Sequence, residues 1–326
     1  VPGAVIASGP YAGLPDLSGA WTAAERQLVS NAVLARCDAL DGAVDGLVQD
    51  FQACQRRFDL DVDVPTCAGP RDGTCLTAAQ KAALSRNFAG PTTPDGRPIY
   101  ARFPFDSGHG SVNTVFWEFI APILLDPGAV GFVFKTPPAD PTTFIPPQFT
   151  LTADIQQLAR QIYATDATYT QSGMAFMTPP EPERLEEFRR RGDRMIVYQG
   201  VSDPIFSILD TIRWYRHLGA RDGEHDSDDG AADSARLFAV PGMNHCSGGP
   251  ATDQFDLLTP LIRWVETGRA PERVVATARG TGNAGGANAE VPPSWSPSRT
   301  RPLCAYPRAA TYVGGPIESE HSFACR

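Results

Sequence analysis

The sequence has no Gly-x-Ser-x-Gly turn anywhere along its 326 residues. Hydrolytic serines are commonly presented on that sharp strand-to-helix bend, so a nucleophile of the usual form is excluded from within the chain. Long apolar runs are missing too. None approaches the roughly 20 residues that a membrane-spanning helix requires, so no membrane partner is expected. Positive charge is in short supply: 28 Lys and Arg stand against 37 Asp and Glu, for a formal net charge of −9. Binding to phosphates requires a clustered positive field, so a nucleic-acid partner is not expected either. The seven cysteines never fall in Cys-x-x-Cys spacing, which argues against structural zinc.

What is present concentrates near the C-terminal end. Pro241-Gly242-Met243-Asn244-His245-Cys246-Ser247-Gly248-Gly249-Pro250 is a small-residue loop that presents a histidine beside a cysteine, about forty residues after Gly200-Val201-Ser202-Asp203-Pro204. The pattern around these loops predicts a helix over 183–190, a strand over 195–198, a helix over 208–218, a strand over 237–240 and a helix over 254–266. Such alternation is that of a parallel sheet covered by helices. In such sheets the loops at the carboxyl ends of the strands converge on one crevice, so Asp203 and His245 are both expected at the same edge. A buried aspartate accepting a hydrogen bond from Nδ1 of a histidine fixes its tautomer and leaves Nε2 to take a serine proton. A turn aspartate and a structural histidine are the bland alternative for either residue alone. His109, His217, His225 and His321 have no comparable setting and are read as surface or core residues.

If these loops carry an acid and a base, the order nucleophile, acid, histidine puts the serine upstream. The expectation is therefore that the chain is the C-terminal part of a larger enzyme, with the serine and its oxyanion donors on a segment or second chain outside it. Alone, it is then not expected to turn over esters.

Earlier in the chain, Thr22-Ala23-Ala24-Glu25 has capping-box spacing and opens a helix toward Cys37, with Leu28, Val29, Ala32 and Val33 on one face. From Cys37 to about Pro180 the sequence is broken by Pro137-Pro138, Pro146-Pro147 and Pro179-Pro180. This reads as a loop-rich insertion, a lid over 37–180 between core segments 1–36 and 181–326. Phe116, Trp117, Phe132 and Phe134 within it are candidates for an aromatic pocket or for ordinary core. The cysteines flank three short loops, 37 to 54, 67 to 75 and 304 to 325, that disulfides could close, and scattered buried thiols are the other reading. Closed loops would place the protein in an oxidising compartment, secreted or periplasmic. Cys246 is then the odd one and expects a partner outside the chain. The stretch Cys37-Asp38-Ala39-Leu40-Asp41-Gly42-Ala43-Val44-Asp45-Gly46-Leu47-Val48 sets three carboxylates among turn-forming glycines, either a solvated turn cluster or a site for a hard cation such as calcium.

Three stretches together, Cys37-Asp38-Ala39-Leu40-Asp41-Gly42, Ser202-Asp203-Pro204 and Asn244-His245-Cys246-Ser247-Gly248-Gly249-Pro250, resemble the tannase and feruloyl esterase family over essentially the whole chain. The segments Asp253 to Pro260, Thr300 to Pro307 and Phe323-Ala324-Cys325 are most similar to its branch acting on hydroxyethyl terephthalate half-esters. The resemblance implies an α/β-hydrolase core with a large lid and a secreted serine esterase acting on small aromatic esters of the feruloyl, galloyl or terephthaloyl kind. It implies Asp203 as the acid and His245 as the base. It also implies a structural Ca2+ held by Asp38, Asp41 and Asp45 with the carbonyls of Ala43 and Leu47. Disulfides Cys37 with Cys54, Cys67 with Cys75 and Cys304 with Cys325 follow from it, as does a bond from Cys246 to a cysteine preceding the serine. Phe206 falls where that branch places an aromatic lining the acyl pocket. The rival expectation from another class is a noncatalytic module that binds phenolic or polysaccharide ligands on a degenerate hydrolase core.

Overall fold

In a computed structural model, residues 7–8, 12–13, 19–218 and 232–326 are described; His225 lies outside them. The chain divides into two compact units. One comprises Gly90–Tyr100 and Thr114–Pro182 with the described residues of the first 22, and the other Ala23–Ala89, Ala101–Asn113 and Glu183–Arg326.

The second unit holds all the strands among the described residues. Helix α1, Ala23–Cys37, buries Val29, Ala32 and Val33 of the stripe expected from the sequence and leaves Leu28 half-buried. Its Glu25 is fully buried and turns to the Arg71 guanidinium. Strand β1, Met195–Gly200, lies parallel to β2, Ala235–Val240, in register from Met195 opposite Ala235 to Gly200 opposite Val240. Helix α2, Ile208–His217, follows β1, its N-terminus capped by the Ser207 hydroxyl. Strand β3, Gln254–Phe255, precedes helix α3, Leu258–Thr267, and pairs antiparallel with β4, Arg273–Thr277, which in turn pairs with β5, Thr300–Cys304. A bridge between Phe238 and Ala305 joins β2 to the end of β5. Phe238, Val240, Met243, Val274, Ala276 and Leu303 form the shared core. The last hairpin, β6 at Ala310–Tyr312 and β7 at Phe323–Cys325, is tied to β5 by the Cys304–Cys325 disulfide. The same unit contains disulfides Cys37–Cys54 and Cys67–Cys75.

Two helix starts differ from the pattern-based expectation. The helix expected from Gln254 begins at Leu258, because Gln254 and Phe255 pair with Thr277 and Ala276 in the sheet. The turn between them is held by Asp256, whose Oδ1 accepts the N–H groups of Leu258 and Thr259. The helix expected from Glu183 begins at Glu186, since Leu185 sits at φ −112°, ψ 40°, outside the helical region.

The segment 37–89, drawn from the sequence as part of a lid over 37–180, packs in the unit that contains the strands. A buried ion pair holds it there: the Arg301 guanidinium on β5 meets the Asp45 carboxylate, with side-chain exposures of 1% and 0%. Arg301 also stacks on Phe323, 4.4 Å from the ring centre, and Arg299 donates to the Asp45 carbonyl at 2.6 Å.

The other unit is built of short helices and turns. Phe132, Phe144 and Phe149 stack in series with ring centres 4.6 and 5.2 Å apart, and Phe116 meets Trp117 edge-on at 4.9 Å. No single helix among the described residues is long and apolar enough to cross a membrane.

Candidate active site

The register of β1 and β2 places Gly200 beside Val240, so the two following loops leave the same edge of the sheet. They approach closely. A Cβ on Gly200 would lie 2.2 Å from the Met243 carbonyl oxygen, and one on Gly242 would lie 2.1 Å from the Pro250 oxygen. Gly242 also has φ +74°, a conformation that side chains rarely adopt. Gly200 lets the two loops run against each other and Gly242 lets the histidine loop fold back on itself, while Ser202 N–H donates across the gap to the Met243 carbonyl at 3.1 Å.

This approach brings together the two residues singled out in the sequence. His245 Nδ1 lies 3.0 Å from Asp203 Oδ2, with side-chain exposures of 18% and 6%. The other oxygen, Oδ1, accepts the N–H groups of Ile205 and Phe206, each at 2.9 Å. The carboxylate is thus aimed by its own turn before it meets the imidazole. With the proton on Nδ1, the basic lone pair of the ring is at Nε2. Phe206 lies against the imidazole with ring centres 5.3 Å apart, and it is 56% exposed. Cys246 follows His245 as an exposed free thiol, at φ +66°.

Beneath these loops lies a residue that the sequence did not single out. Asp106, fully buried, accepts hydrogen bonds at Oδ2 from the Ser202 hydroxyl and from Gly242 N–H, both at 2.7 Å. Burial pushes its carboxyl up to about 6, and the bonds from Ser202 and Gly242 offset part of that rise. Asn244 adds two further ties, from Nδ2 to the carbonyls of Ser202 at 3.1 Å and Gly108 at 3.4 Å. Glu290 braces the far end of the histidine loop, accepting Gly249 N–H at 2.9 Å while also holding Val112 N–H and the Ser111 hydroxyl. The only sequence signal for Asp106 is its place before the small-residue run Ser107-Gly108-His109-Gly110. Its partners stand 96 and 136 residues away, so no local pattern could connect them.

The remaining histidines have other surroundings. His109 packs edge-on to Phe88 at 4.5 Å, and burial lowers its imidazole to about 4, with the Pro104 carbonyl opposing. His217 stands 3.4 Å from Glu183, and His321 is exposed beside Glu320.

In the acidic loop, Asp38, Asp41 and Asp45 are all buried. Asp38 accepts the N–H groups of Asp45 and Gly46, Asp41 Oδ1 accepts Ala43 N–H, and Asp45 Oδ1 accepts Leu47 N–H. Asp41 Oδ2 is buried without a hydrogen-bond partner. Burial lifts the Asp41 carboxyl to about 7; the carboxylates of Asp45 and Asp38 add to the rise, while Ala43 N–H and Arg301 oppose it. Three buried acids, of which Asp45 is paired with the Arg301 guanidinium, fit a hard cation in kind. In the present arrangement the carboxylates point to backbone N–H groups, and no group of three or more His, Cys, Asp or Glu side chains among the described residues is disposed to hold a metal.

A cavity of about 740 Å³ opens between this loop and residues 107–111, lined among others by Asp45, Gly46, Ser111, Pro250, Glu290 and Trp295. Asp203, His245 and Phe206 do not line it.

Residues 12–326 match the family described as tannase and feruloyl esterase. The chain is 38% identical over 340 residues to the mono(2-hydroxyethyl) terephthalate hydrolase of Piscinibacter sakaiensis, an alignment covering 96% of this chain and 53% of that protein. Two solved structures share the fold. They are feruloyl esterase B from Aspergillus oryzae (TM-score 0.58, 21% identity, 94% of this chain and 57% of that one) and tannin acyl hydrolase from Aspergillus niger (TM-score 0.60, 20% identity, 93% and 53%). The chain belongs to the tannase and feruloyl esterase family and has an α/β-hydrolase fold. It spans about half the length of the curated relatives it matches.

The buried Asp106 carboxyl makes stability depend on pH. Its folded value, about 6, lies above the ordinary 3.8, so the folded chain holds this proton more tightly than the unfolded chain does. The resulting contribution is fully present below pH 3.8 and is lost as pH rises through 6. Denaturation of wild type and Asp106→Asn at pH 7, 6 and 5 is expected to show wild type gaining on the variant as pH falls, by on the order of 1–3 kcal/mol. A difference that stays flat with pH contradicts the assignment.

Proposed function

We propose that this chain carries the acid and base of a serine carboxylic ester hydrolase acting on small aromatic esters, the serine coming from a segment outside residues 1–326. The observation that carries the reading is the 3.0 Å contact between His245 Nδ1 and Asp203 Oδ2, made by loops that leave adjacent parallel strands at one edge. The family and the 38% identity to a terephthalate half-ester hydrolase support the aromatic ester class, and feruloyl esterases and a tannin acyl hydrolase lie among the relatives and structural neighbours.

The proposed reaction is acyl transfer in two halves. The serine oxygen attacks the ester carbonyl carbon while its proton passes to His245 Nε2, and Asp203 stabilises the imidazolium. The tetrahedral intermediate collapses, the carbon–oxygen bond to the alcohol breaks, and the leaving oxygen takes the proton from Nε2. Water then attacks the acyl-enzyme, gives its proton to Nε2, and the aromatic acid leaves as the serine recovers that proton. Phe206, exposed beside the imidazole, offers an apolar wall for an aromatic acyl group. Cys246 is proposed to bond to a cysteine on the serine-bearing segment, which its exposure and position next to His245 favour. Three closed disulfides support an oxidising compartment, secreted or periplasmic.

A panel of feruloyl, galloyl and terephthaloyl half-esters, assayed with the protein that includes the serine-bearing segment, tests this reading. At least one class is expected to be hydrolysed, and His245→Ala to lose on the order of 10³-fold or more in kcat/KM. A variant within tenfold of wild type would sink the assignment.

We also propose a structural Ca2+ at Asp38, Asp41 and Asp45, with the carbonyls of Ala43 and Leu47. Bound there, calcium would supply charge neutralisation and hold the loop, and would take no part in ester chemistry. Support comes from the excess of buried negative charge and from the unpartnered Asp41 Oδ2. Chelation is expected to lower Tm by several degrees, with Ca2+ restoring it and Mg2+ not. A Tm indifferent to both chelator and calcium contradicts the site.

A further inference from the structure

We infer that Asp106 is a positioning residue for the Asp203–His245 pair: its buried carboxylate fastens together the two loops on which those side chains stand. The inference rests on the acid–base reading above and adds a residue to it.

Asp106 occupies the N-cap position of the short turn Ser107–Gly110, where an aspartate ordinarily accepts N–H groups of its own turn, yet it makes no such side-chain cap. Its Oδ2 is directed instead between the loops, accepting from Ser202, the residue before Asp203, and from Gly242, three residues before His245. Ser202 closes the arrangement. Its hydroxyl gives its proton to Asp106 and receives Gly108 N–H at 2.9 Å, so the hydrogen-bond direction at that oxygen is fixed.

The turn itself is anchored. Gly110 N–H donates to the Ser30 hydroxyl on α1 at 2.7 Å. A Cβ on Gly108 would fall 2.4 Å from the Ser202 side chain and 2.9 Å from the Gly242 carbonyl, so the turn lies directly beneath both loops. The neighbouring His109 imidazole is held neutral by burial and brings no counter-charge. A buried carboxylate with no ion pair among the described residues is costly. Here the cost is offset in part, since Oδ1 is buried without a partner while Oδ2 makes two bonds that hold separate loops in one register, which a bond within either loop would not do.

The test reads the histidine directly, in the chain as it stands. Proton NMR with 15N-histidine labelling is used to find the low-field Nδ1–H of His245, assigned by its loss in His245→Ala, and to measure its exchange with water. Asp106→Ala is expected to abolish this resonance or speed its exchange by about tenfold or more, the signature of loops that open readily. Asp106→Asn is expected to restore it to within about threefold of wild type, because the amide oxygen can accept the same two protons. Ser202→Ala removes one arm and is expected to fall between, and it serves where Asp106→Ala does not fold. Exchange within twofold of wild type in Asp106→Ala, or in Ser202→Ala if the former is unfolded, overturns the inference while leaving the pair intact. Asp106→Asn behaving as Asp106→Ala overturns it as well, since charge and not bonding would then matter. Absence of the resonance from the wild-type chain overturns both the inference and the acid–base reading beneath it.

Discussion

The parallel pairing of Met195–Gly200 with Ala235–Val240 is the constraint on which the candidate site depends. Because the strands run in the same direction and end level, Asp203 and His245 need only a few residues of loop each to meet. The loops must then pack closely: Gly200 permits it where a Cβ would collide with the Met243 backbone, and Gly242 permits the tight fold of the histidine loop against Pro250. Chemistry at this edge is therefore a consequence of strand register and of two small residues. The imidazole is oriented because its partner carboxylate is already pinned by Ile205 and Phe206.

Buried or half-buried carboxylates join several segments distant in sequence. Asp45 meets Arg301 on β5, Asp106 bridges the two site loops, and Glu290 ties Gly249 to residues 111 and 112. Asp253 does the same work at Gly248 N–H, paired with Arg279. In each case an acid that would be expensive alone is matched to donors from another part of the chain. An acidic net charge in the sequence is thus partly a record of interior construction. It says little about an anionic or cationic partner.

Much of the site was legible in the sequence because its signals are local. A strand followed by Ser-Asp-Pro, and another followed by Pro-Gly-Met-Asn-His, can be read from short windows, and the three disulfides close the same short loops that the cysteine spacing outlined. Asp106 was not legible, since its whole meaning lies in partners about a hundred residues away. The start of α3 was misjudged for a related reason: Gln254 and Phe255 carry a helix-compatible pattern, and only pairing with Thr277 and Ala276 draws them into a strand. The division of the chain was also nonlocal. The proline-broken stretch after Cys37 looks uniform in composition, yet the Asp45–Arg301 pair keeps its first part with the strands.

The central claim is that Asp203 acts on ester hydrolysis through His245. Asp203→Asn tests it most directly, because the amide preserves the shape and the two turn hydrogen bonds while favouring the wrong imidazole tautomer. Steady-state kinetics on an aromatic half-ester, in the protein that includes the serine-bearing segment, are predicted to show kcat falling on the order of 10³–10⁴-fold with KM little changed. A fall of less than about tenfold would contradict the account and return Asp203 to the status of a turn residue.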